Sequence, residues 1–427
     1  MAERGARGTG PIGTGPISLR HNRDFVLLQA GQLLSTFGSS VSGIAYPLLV
    51  LALTGSAAKA GYVGAAELAP MLILSLVAGL AADRFDRKRM MIAADAVSAA
   101  AVGALAAAVL THHVSFWLIM VVALVDSSAG VCFRAAQSGA FRAVVPVAQL
   151  PAAASFLQAR AATVRLGGPP VGGALFAAGR ALPFVADAIS YAFSTVSLLL
   201  MRTRFQEARE REPVPLRTQL AEGLSFFSHV AFLRTTLLLI AGSNFSTTAV
   251  QLAVIVLAKR QGLSSTAIGG FVALVGATAL LGSLLSPLVR RLLPMRAIVL
   301  SELYAGLFYL PFFVWPDAYV LAFAFAFQAF CFPNTDSAVT AYWYALTPDR
   351  LVGRVMSVAS TLRVLVAPLG PVAAGLLLTH ASPRTAIAVF TTVTLTLAAI
   401  GTLAASIREA PPLADVVTPS ASPAEAG

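Results

Sequence analysis

Three carboxylates interrupt long apolar stretches of this sequence: Glu67, Asp126 and Asp336. On insertion scales, a charged group at the depth of a lipid bilayer costs on the order of 2.5–3.5 kcal/mol, so each needs a partner or a water-filled cavity. A site of low dielectric constant favours the protonated carboxyl, whereas a neighbouring arginine favours the charged form. Such a group can therefore bind and release a proton when its surroundings change.

Two arginines lie at depths that match two of these carboxylates. The sequence predicts an ion pair between Asp126 and Arg165. It predicts a second pair between Asp336 and Arg363. Either pair is consistent with proton exchange or with a fixed buried contact that sets helix packing. Glu67 has no obvious cationic partner, so it is a proton carrier or a hydrogen-bonded structural group. Three further acidic residues are interpreted as structural: Asp95, Asp187 and Glu302.

Membrane-spanning helices must position these groups. Of the 427 residues, 57% are hydrophobic and 11% are charged, against roughly 25% charged in soluble domains. A bilayer core of about 30 Å needs about 20 apolar residues per helix. We therefore expect an all-α membrane protein with twelve spans. The predicted spans are 25–53, 60–82, 90–111, 115–137, 152–178, 182–201, 232–258, 266–289, 296–315, 318–344, 354–379 and 384–406.

The basic residues predict which side each loop faces. Twelve spans place both termini on the same side of the membrane. Of the 30 lysines and arginines, 22 lie on that side, five lie on the other side and three lie within the spans. The positive-inside rule then predicts a cell (inner) membrane protein with both termini in the cytoplasm. Because the cations lie in short turns between spans, the net charge of +11 does not indicate nucleic-acid binding.

The two halves of the chain repeat. Cys132-Phe133-Arg134 corresponds to Cys331-Phe332-Pro333, and matching segments are offset by 198 to 207 residues. Two six-helix halves are therefore expected, joined by a polar linker. The predicted organisation is a disordered tail at 1–24, a half at 25–201, a cytoplasmic linker at 202–231, a half at 232–406 and a disordered tail at 407–427.

Small polar side chains follow helical spacing on the first and seventh spans. This pattern predicts the lining of a substrate cavity, although interhelical packing by small polar groups would produce the same pattern. The candidate cavity residues are Gln32, Thr36, Ser39, Asn244, Thr247 and Gln251.

The turn between the second and third spans carries a recognisable motif. Gly79, Asp83, Arg84, Lys88 and Arg89 match the pattern Gly-x-x-x-Asp-Arg-x-Gly-x-Arg/Lys-Arg/Lys, with Asp86 at the second glycine. This pattern resembles the loop signature of the major facilitator superfamily of secondary transporters. The resemblance implies two parallel six-helix halves with the substrate site between them near mid-membrane.

A second motif in the fifth span resembles that of the superfamily's antiporters. It consists of Gly168, Pro169, Gly172 and Gly173, while Ser155 and Val164 replace further glycines of the longer motif. The segments Asn22-Arg23-Asp24-Phe25 and Gly353-Arg354-Val355-Met356-Ser357 resemble the branch that includes macrolide-efflux and enterobactin-exporter-like proteins. The loop motif and the fifth-span motif are both expected to serve conformational gating.

The resemblance implies proton-driven export of a small amphipathic compound, such as a drug, antibiotic or secondary metabolite, by alternating access. Asp83 would engage the N-terminal end of the eleventh span around residues 351–354, where a helix terminus attracts an anion. The alternatives are proton-coupled import and a non-transporting membrane sensor. We expect a monomer in the lipid bilayer whose partners are the small-molecule substrate and protons, with no nucleic acid.

No enzyme, metal or cofactor function is predicted. The two cysteines and five histidines show no metal-binding spacing, and no phosphate-binding P-loop is present. An ion gradient is therefore the expected source of energy.

Overall fold

The computed structural model describes residues 22–145, 149–203, 205 and 216–410. Most of both predicted tails and part of the predicted linker lie outside these ranges. Every regular element within them is a helix. The helices are α1 Arg23–Thr54, α2 Ala57–Arg84, α3 Arg87–Leu110, α4 Phe116–Val144, α5 Leu150–Ala178, α6 Leu182–Leu200, α7 Leu216–His229, α8 Ala231–Arg260, α9 Ser265–Leu292, α10 Met295–Tyr304, α11 Pro311–Val314, α12 Ala318–Leu346, α13 Asp349–Leu362, α14 Leu369–His380, α15 Pro383–Leu403 and α16 Ala405–Arg408.

Ten stretches of the described chain are helical, long and apolar enough to cross a membrane, which makes this a multi-pass membrane protein. Two more helical segments lie where the fifth and eleventh spans are predicted: α5, and α13 together with α14. Most helix ends fall within three residues of the predicted bounds, but α4 continues to Val144 instead of ending at 137.

Side-chain caps explain where several helices begin. Asn22, Ser56, Asp86, Ser264 and Ser382 each precede a helix and accept a hydrogen bond from the backbone N–H three residues later, at 3.0–3.3 Å. These bonds satisfy donors that have no partner within the first turn. Asp86, which replaces a glycine of the loop pattern, therefore fixes the start of α3.

The eleventh predicted span is broken rather than continuous. Residues 363–368 form turns between α13 and α14, and Pro368 and Pro371 cannot donate backbone hydrogen bonds there. Polar side chains of α8 bond the carbonyls at the break. Asn244 Nδ2 donates to the Arg363 carbonyl at 2.8 Å, and Thr248 Oγ1 donates to the Ala367 carbonyl at 2.9 Å. Non-helical backbone at membrane depth needs such partners.

Helix α7, within the predicted linker, packs against α13. Glu222 forms an ion pair with Arg354. A Cβ built on Gly223 would lie 3.0 Å from the Arg354 carbonyl and 2.7 Å from a methyl group of Val358, so the two helices are in close contact. The linker helix therefore holds the predicted cytoplasmic end of the broken span.

The hydrophobic core is shared at one end of the bundle and divided at the other. On the predicted outer side, buried residues from α1–α6 and from α8, α9, α11, α12, α14 and α15, among them Leu49 and Val256, form one cluster. On the predicted cytoplasmic side, Met91 belongs to a cluster of α1–α6 and the segment that follows α6. Trp343 belongs to a separate cluster of α7 and the later helices. Within the part of the chain that the structure describes, the buried hydrophobic core thus joins the two halves on the predicted outer side and is divided on the predicted cytoplasmic side.

Glycines allow the close approach of the halves on that side. A Cβ on Gly269 of α9 would lie 2.4 Å from the Pro169 carbonyl of α5, and one on Gly173 would lie 2.3 Å from the Ser265 carbonyl. Helices α2 and α14 form a second contact between the halves, where a Cβ on Gly61 would lie 2.3 Å from the Pro371 carbonyl. No larger residue fits these positions without separating the helices.

Candidate functional site

A polar cavity of about 370 Å³ lies among α1–α6. All six helices contribute to its wall. Its charged lining consists of three carboxylates and two guanidinium groups: Glu67, Asp95, Asp126, Arg134 and Arg160. Among the described residues none of these three carboxylates forms an ion pair within 4 Å, so the cavity holds acidic groups without a fixed counter-ion.

Asp126 belongs to a hydrogen-bonded chain across the cavity. The Tyr191 hydroxyl of α6 donates to Asp126 Oδ1 at 2.9 Å and lies 2.9 Å from the Ser39 hydroxyl of α1. Ser98 of α3 lines the same cavity. The Asp126 carboxylate of α4 is thus connected to α6 directly and to α1 through Tyr191.

The predicted pairing of Asp126 with Arg165 is wrong. The backbone carbonyl and Cβ of Arg165 lie against Gly276 of α9, at the contact between α5 and α9, and its side chain is exposed. Span boundaries gave both residues the correct depth, but depth does not determine which face of a helix meets which neighbour. Tyr191 takes the place that the prediction gave to Arg165.

Glu67 lines the same cavity from α2. The Ser127 hydroxyl of α4 donates to the backbone carbonyl of Glu67, which ties α2 to α4 at this level. Asp126, one residue before Ser127, lies close enough to interact electrostatically with the Glu67 carboxylate. Two carboxylates therefore share one enclosed space, which makes the charge of either depend on the other.

Two acidic residues interpreted as structural differ in their surroundings. Asp187 is fully buried, accepts a hydrogen bond from Ser42 at 2.5 Å and one from Ser190 at 3.3 Å, and so joins α6 to α1. Asp95 lines the cavity instead, and its Oδ2 atom has no hydrogen-bond partner among the described residues. Asp95 thus joins the candidate site, which its sequence position near a helix end did not indicate.

The cavity also contains Arg134 of α4, which is one of the 22 cations that the topology prediction counts on the cytoplasmic side. Arg134 lies inside α4, ten residues before its end, because that helix continues to Val144. It is close enough to Asp126 to interact electrostatically. Arg160 of α5 donates to the Gln29 side chain at 2.9 Å.

Half of the predicted cavity residues line this cavity. Gln32, Thr36 and Ser39 do so from α1, and Gln32 Oε1 accepts a hydrogen bond from Gln137 at 2.7 Å. Asn244, Thr247 and Gln251 do not, because α8 lies outside the ring of six helices around the cavity. A substrate site between the halves, with these three residues in its lining, stays a prediction.

In the later helices a half-buried cluster of charged residues lies beside the broken span. Asp336 of α12 forms an ion pair with Arg363 at the break. The Arg363 guanidinium lies over the Trp343 ring, 5.4 Å from its centre. Glu302 is buried and accepts a hydrogen bond from Ser243. The contacts with Asp336 and Trp343 hold Arg363 at the start of the break. A role of Asp336 in proton coupling stays a prediction.

The loop between α2 and α3 makes contacts within its own half. Asp83 is paired with Arg87 at 3.2 Å, and Lys88 donates to the Met201 carbonyl at 2.7 Å. Arg84 and Arg89 are exposed, and no atom lies within 4 Å of a Cβ built on Gly79. Among the described residues Asp83 forms no hydrogen bond or ion pair with residues 351–354. The latch stays a prediction, and it would require an arrangement in which the predicted cytoplasmic ends meet.

The glycines of the predicted antiporter motif serve two different contacts. Gly168 and Gly172 pack α5 against Ser40 and Val41 of α1. Gly173, with the Pro169 carbonyl, packs α5 against α9 of the other half. The motif therefore takes part in two contacts, one inside the first half and one between the halves.

Tyr191 and Tyr46, like Asp95 and Arg134, line the cavity and were missed by sequence reasoning. The hydroxyl of Tyr46 is buried and has no hydrogen-bond partner among the described residues. A polar stripe on α6 could have indicated Tyr191, because Asp187, Ser190 and Ser194 recur on the same helical face.

Comparisons with known proteins agree with this architecture. Residues 14–418 match the family described as transmembrane secretion effector. The multidrug efflux pump Tap of Mycobacterium tuberculosis is 30% identical over 220 residues, which cover 49% of this chain and 52% of the pump. The chain therefore spans about half the length of that relative in the alignment.

Other relatives align over different lengths. The multidrug efflux pump Tap of Mycolicibacterium fortuitum is 26% identical over 82% of this chain and 87% of its own length. Macrolide efflux protein A of Streptococcus pyogenes is 24% identical over 42% of this chain and 44% of its own length.

Solved structures share the fold at low sequence identity. A nucleoside transporter NupG variant superposes with a TM-score of 0.70 at 12% identity, covering 90% of this chain and 99% of that one. A bacterial homologue of the iron transporter ferroportin, in the inward-facing state, gives 0.69 at 17% identity over 90% and 99%. The chain belongs to the major facilitator superfamily, within its transmembrane secretion effector family.

Proposed function

We propose that this protein exports a small amphipathic compound, such as a drug, antibiotic or secondary metabolite, in exchange for protons. The observation that carries the proposal is the cavity among α1–α6, where Glu67, Asp95 and Asp126 have no ion-pair partner among the described residues. Unpaired carboxylates at membrane depth are expected where protons or cations are bound. The efflux relatives support export as the direction.

The divided core supports a cycle of alternating access. In the present arrangement the two halves separate on the predicted cytoplasmic side, so a substrate reaches the interior from there. After the halves rock, a carboxylate that gains a proton from the outer side no longer attracts a cationic group, and the substrate leaves. The proton is released to the cytoplasm when the halves return.

Transport in everted membrane vesicles tests this function. Respiration acidifies the lumen of such vesicles, so a proton-coupled exporter will accumulate amphipathic dyes inside them, and an uncoupler will abolish the accumulation. Vesicles that lack the protein provide the control. Equal dye content with and without the protein, across a panel of cationic and neutral dyes, would contradict export.

Import by the same fold is the second candidate, since one structural neighbour is described as a nucleoside transporter. Energy-dependent uptake by intact cells, together with no accumulation in everted vesicles, would favour import. A reconstituted protein that moves no compound under an imposed pH gradient would instead favour a non-transporting sensor.

A further inference from the structure

A second cavity, here called the α3–α4 groove, lies on the outer surface of the first six helices. It has a volume of about 760 Å³, larger than the polar cavity, and its lining is almost entirely apolar. It extends from Phe85, which is 65% exposed, to Val97 and Leu124, which are 48% and 45% exposed. Because α3 and α4 are membrane spans, this groove opens into the lipid.

The groove and the polar cavity share a wall one side chain thick. Ala94 of α3 and Ala129 of α4 line both spaces, and each is almost fully buried. The next residue after Ala94 is Asp95, a carboxylate of the polar cavity. Two methyl groups thus separate an apolar, lipid-facing space from an acidic interior.

The charges around the groove favour an amphipathic amine. At its predicted cytoplasmic mouth lie one acidic and one basic residue, Asp86 and Arg89, so the mouth does not select strongly by charge. Beyond the wall, the polar cavity holds three carboxylates and two guanidinium groups, and the excess of acidic groups favours a cation. A volume of this size is typical of sites for small ligands.

We propose that the α3–α4 groove takes up the apolar part of an amphipathic amine from the membrane leaflet on the predicted cytoplasmic side, and that Ala94 and Ala129 form the constriction through which the amine reaches the polar cavity. This access route rests on the proposed export function. It adds a membrane-facing binding site to the opening between the halves.

Photolabelling of the full-length protein in lipid nanodiscs tests the groove. The probe is dodecylamine with a diazirine on its chain, and labelled peptides are mapped by mass spectrometry. Ala93 lines the groove and is exposed, so Ala93→Trp fills the groove without disturbing buried packing. It should lower labelling of the segment around Cys132 by about tenfold, equivalent to about 1.4 kcal/mol of binding.

Ala100→Trp provides the matched control. Ala100 is exposed on α3, seven residues after Ala93 and on the same helical face, but it lies outside the groove. Its labelling around Cys132 should equal that of the wild type. Equal labelling of Ala93→Trp and wild type would overturn the proposal, because simple partitioning of the probe into lipid would then explain the signal.

Substitutions in the wall test passage into the cavity. Ala129→Leu should lower labelling of the cavity segment around Tyr191 while the groove stays labelled, and Ala129→Gly should raise it. The glycine variant keeps the test valid if leucine prevents folding. Cavity labelling that is the same in both variants would overturn the access route.

Transport assays separate this proposal from the proposed function. Dodecylamine export by Ala93→Trp at the wild-type rate would overturn the access route and leave export intact. A labelled wild-type protein that moves no amine under a pH gradient would overturn export, and the access route with it.

Discussion

At the scale of single residues, the carboxylates of the first six helices differ in their partners. Some are fixed by hydrogen bonds, and others are free to change partners. Asp187 has two hydroxyl donors and no solvent exposure, which suits a permanent link between helices. Glu67 lines the cavity, and its side chain forms no ion pair with a described residue. Proton exchange is therefore expected at Glu67 rather than at Asp187.

Glu67→Gln should abolish proton-coupled transport. We expect the rate of transport driven by a pH gradient to fall by at least about tenfold, which is equivalent to about 1.4 kcal/mol. The amide keeps the size of the side chain but cannot carry the proton. Substrate binding should remain, which equilibrium binding to purified protein will measure. Asp187→Asn is the matched control, and we expect it to lower thermal stability more than coupling. Unchanged transport by Glu67→Gln would remove this residue from the mechanism.

The two tyrosines of the cavity offer a matched pair. Tyr191→Phe removes a donor to the Asp126 carboxylate, and hydrogen bonds to charged groups contribute about 1.5–3 kcal/mol. We expect a lower melting temperature and slower transport. Tyr46→Phe removes a buried hydroxyl that has no partner, so the melting temperature should stay the same or rise. Equal effects of the two substitutions would show that the bond to Asp126 does not matter.

At the scale of helices, the outer contact between the halves depends on backbone approaching backbone. Helices α5 and α9 touch through Gly173, Gly269 and the Pro169 carbonyl, and α2 and α14 touch through Gly61 and the Pro371 carbonyl. Because each contact is made by small residues, the helices can separate without pulling large side chains out of pockets. The contact is thus suited to opening and closing.

Gly269→Ala should open this contact. The new Cβ would lie 2.4 Å from the Pro169 carbonyl, and overpacking of this kind costs about 1–3 kcal/mol. We expect the outer ends to separate more often, measured as faster alkylation of a cysteine placed at the outer end of α5. Gly270→Ala is the control, since no atom lies within 4 Å of its Cβ and it gains the same helix propensity. Similar alkylation rates in the two variants would contradict a role for close approach.

At the scale of the whole molecule, the structure is one arrangement of two bodies that share an outer core. The Asp83 carboxylate is exposed and paired with Arg87, a surface contact of little energetic value. The latch to residues 351–354 would form only when the predicted cytoplasmic ends meet. Asp83 is therefore expected to stabilise the other arrangement.

Asp83→Asn should increase the population of the present arrangement. An anion at a helix N-terminus contributes about 0.3–1 kcal/mol, so the shift is about two- to fivefold. Distances between spin labels on the predicted cytoplasmic ends of α4 and α12 will measure it, and turnover should slow more than binding weakens. Asp86→Asn removes the same charge and keeps a good helix cap, so it should have no effect. A shift of equal size in both variants would indicate loop charge rather than a latch.

The sequence by itself determined the membrane class, the helix positions and the superfamily. Each of these depends on local properties: apolar length, loop charge and a contiguous motif at residues 79–89. Asp126 and Glu67 were also found from sequence, because a carboxylate within an apolar run is conspicuous. The broken eleventh span was missed, since its free carbonyls are bonded by Asn244 and Thr248 of a distant helix.

Only the tertiary structure decided which groups meet. It showed that Asp126 bonds Tyr191 instead of Arg165, and that Arg134 lines a polar cavity enclosed by the first six helices. It also placed two alanines between that cavity and the lipid. Helical periodicity fixes which residues share a face, but the rotation of each helix about its axis is set by packing against its neighbours, which no single span encodes.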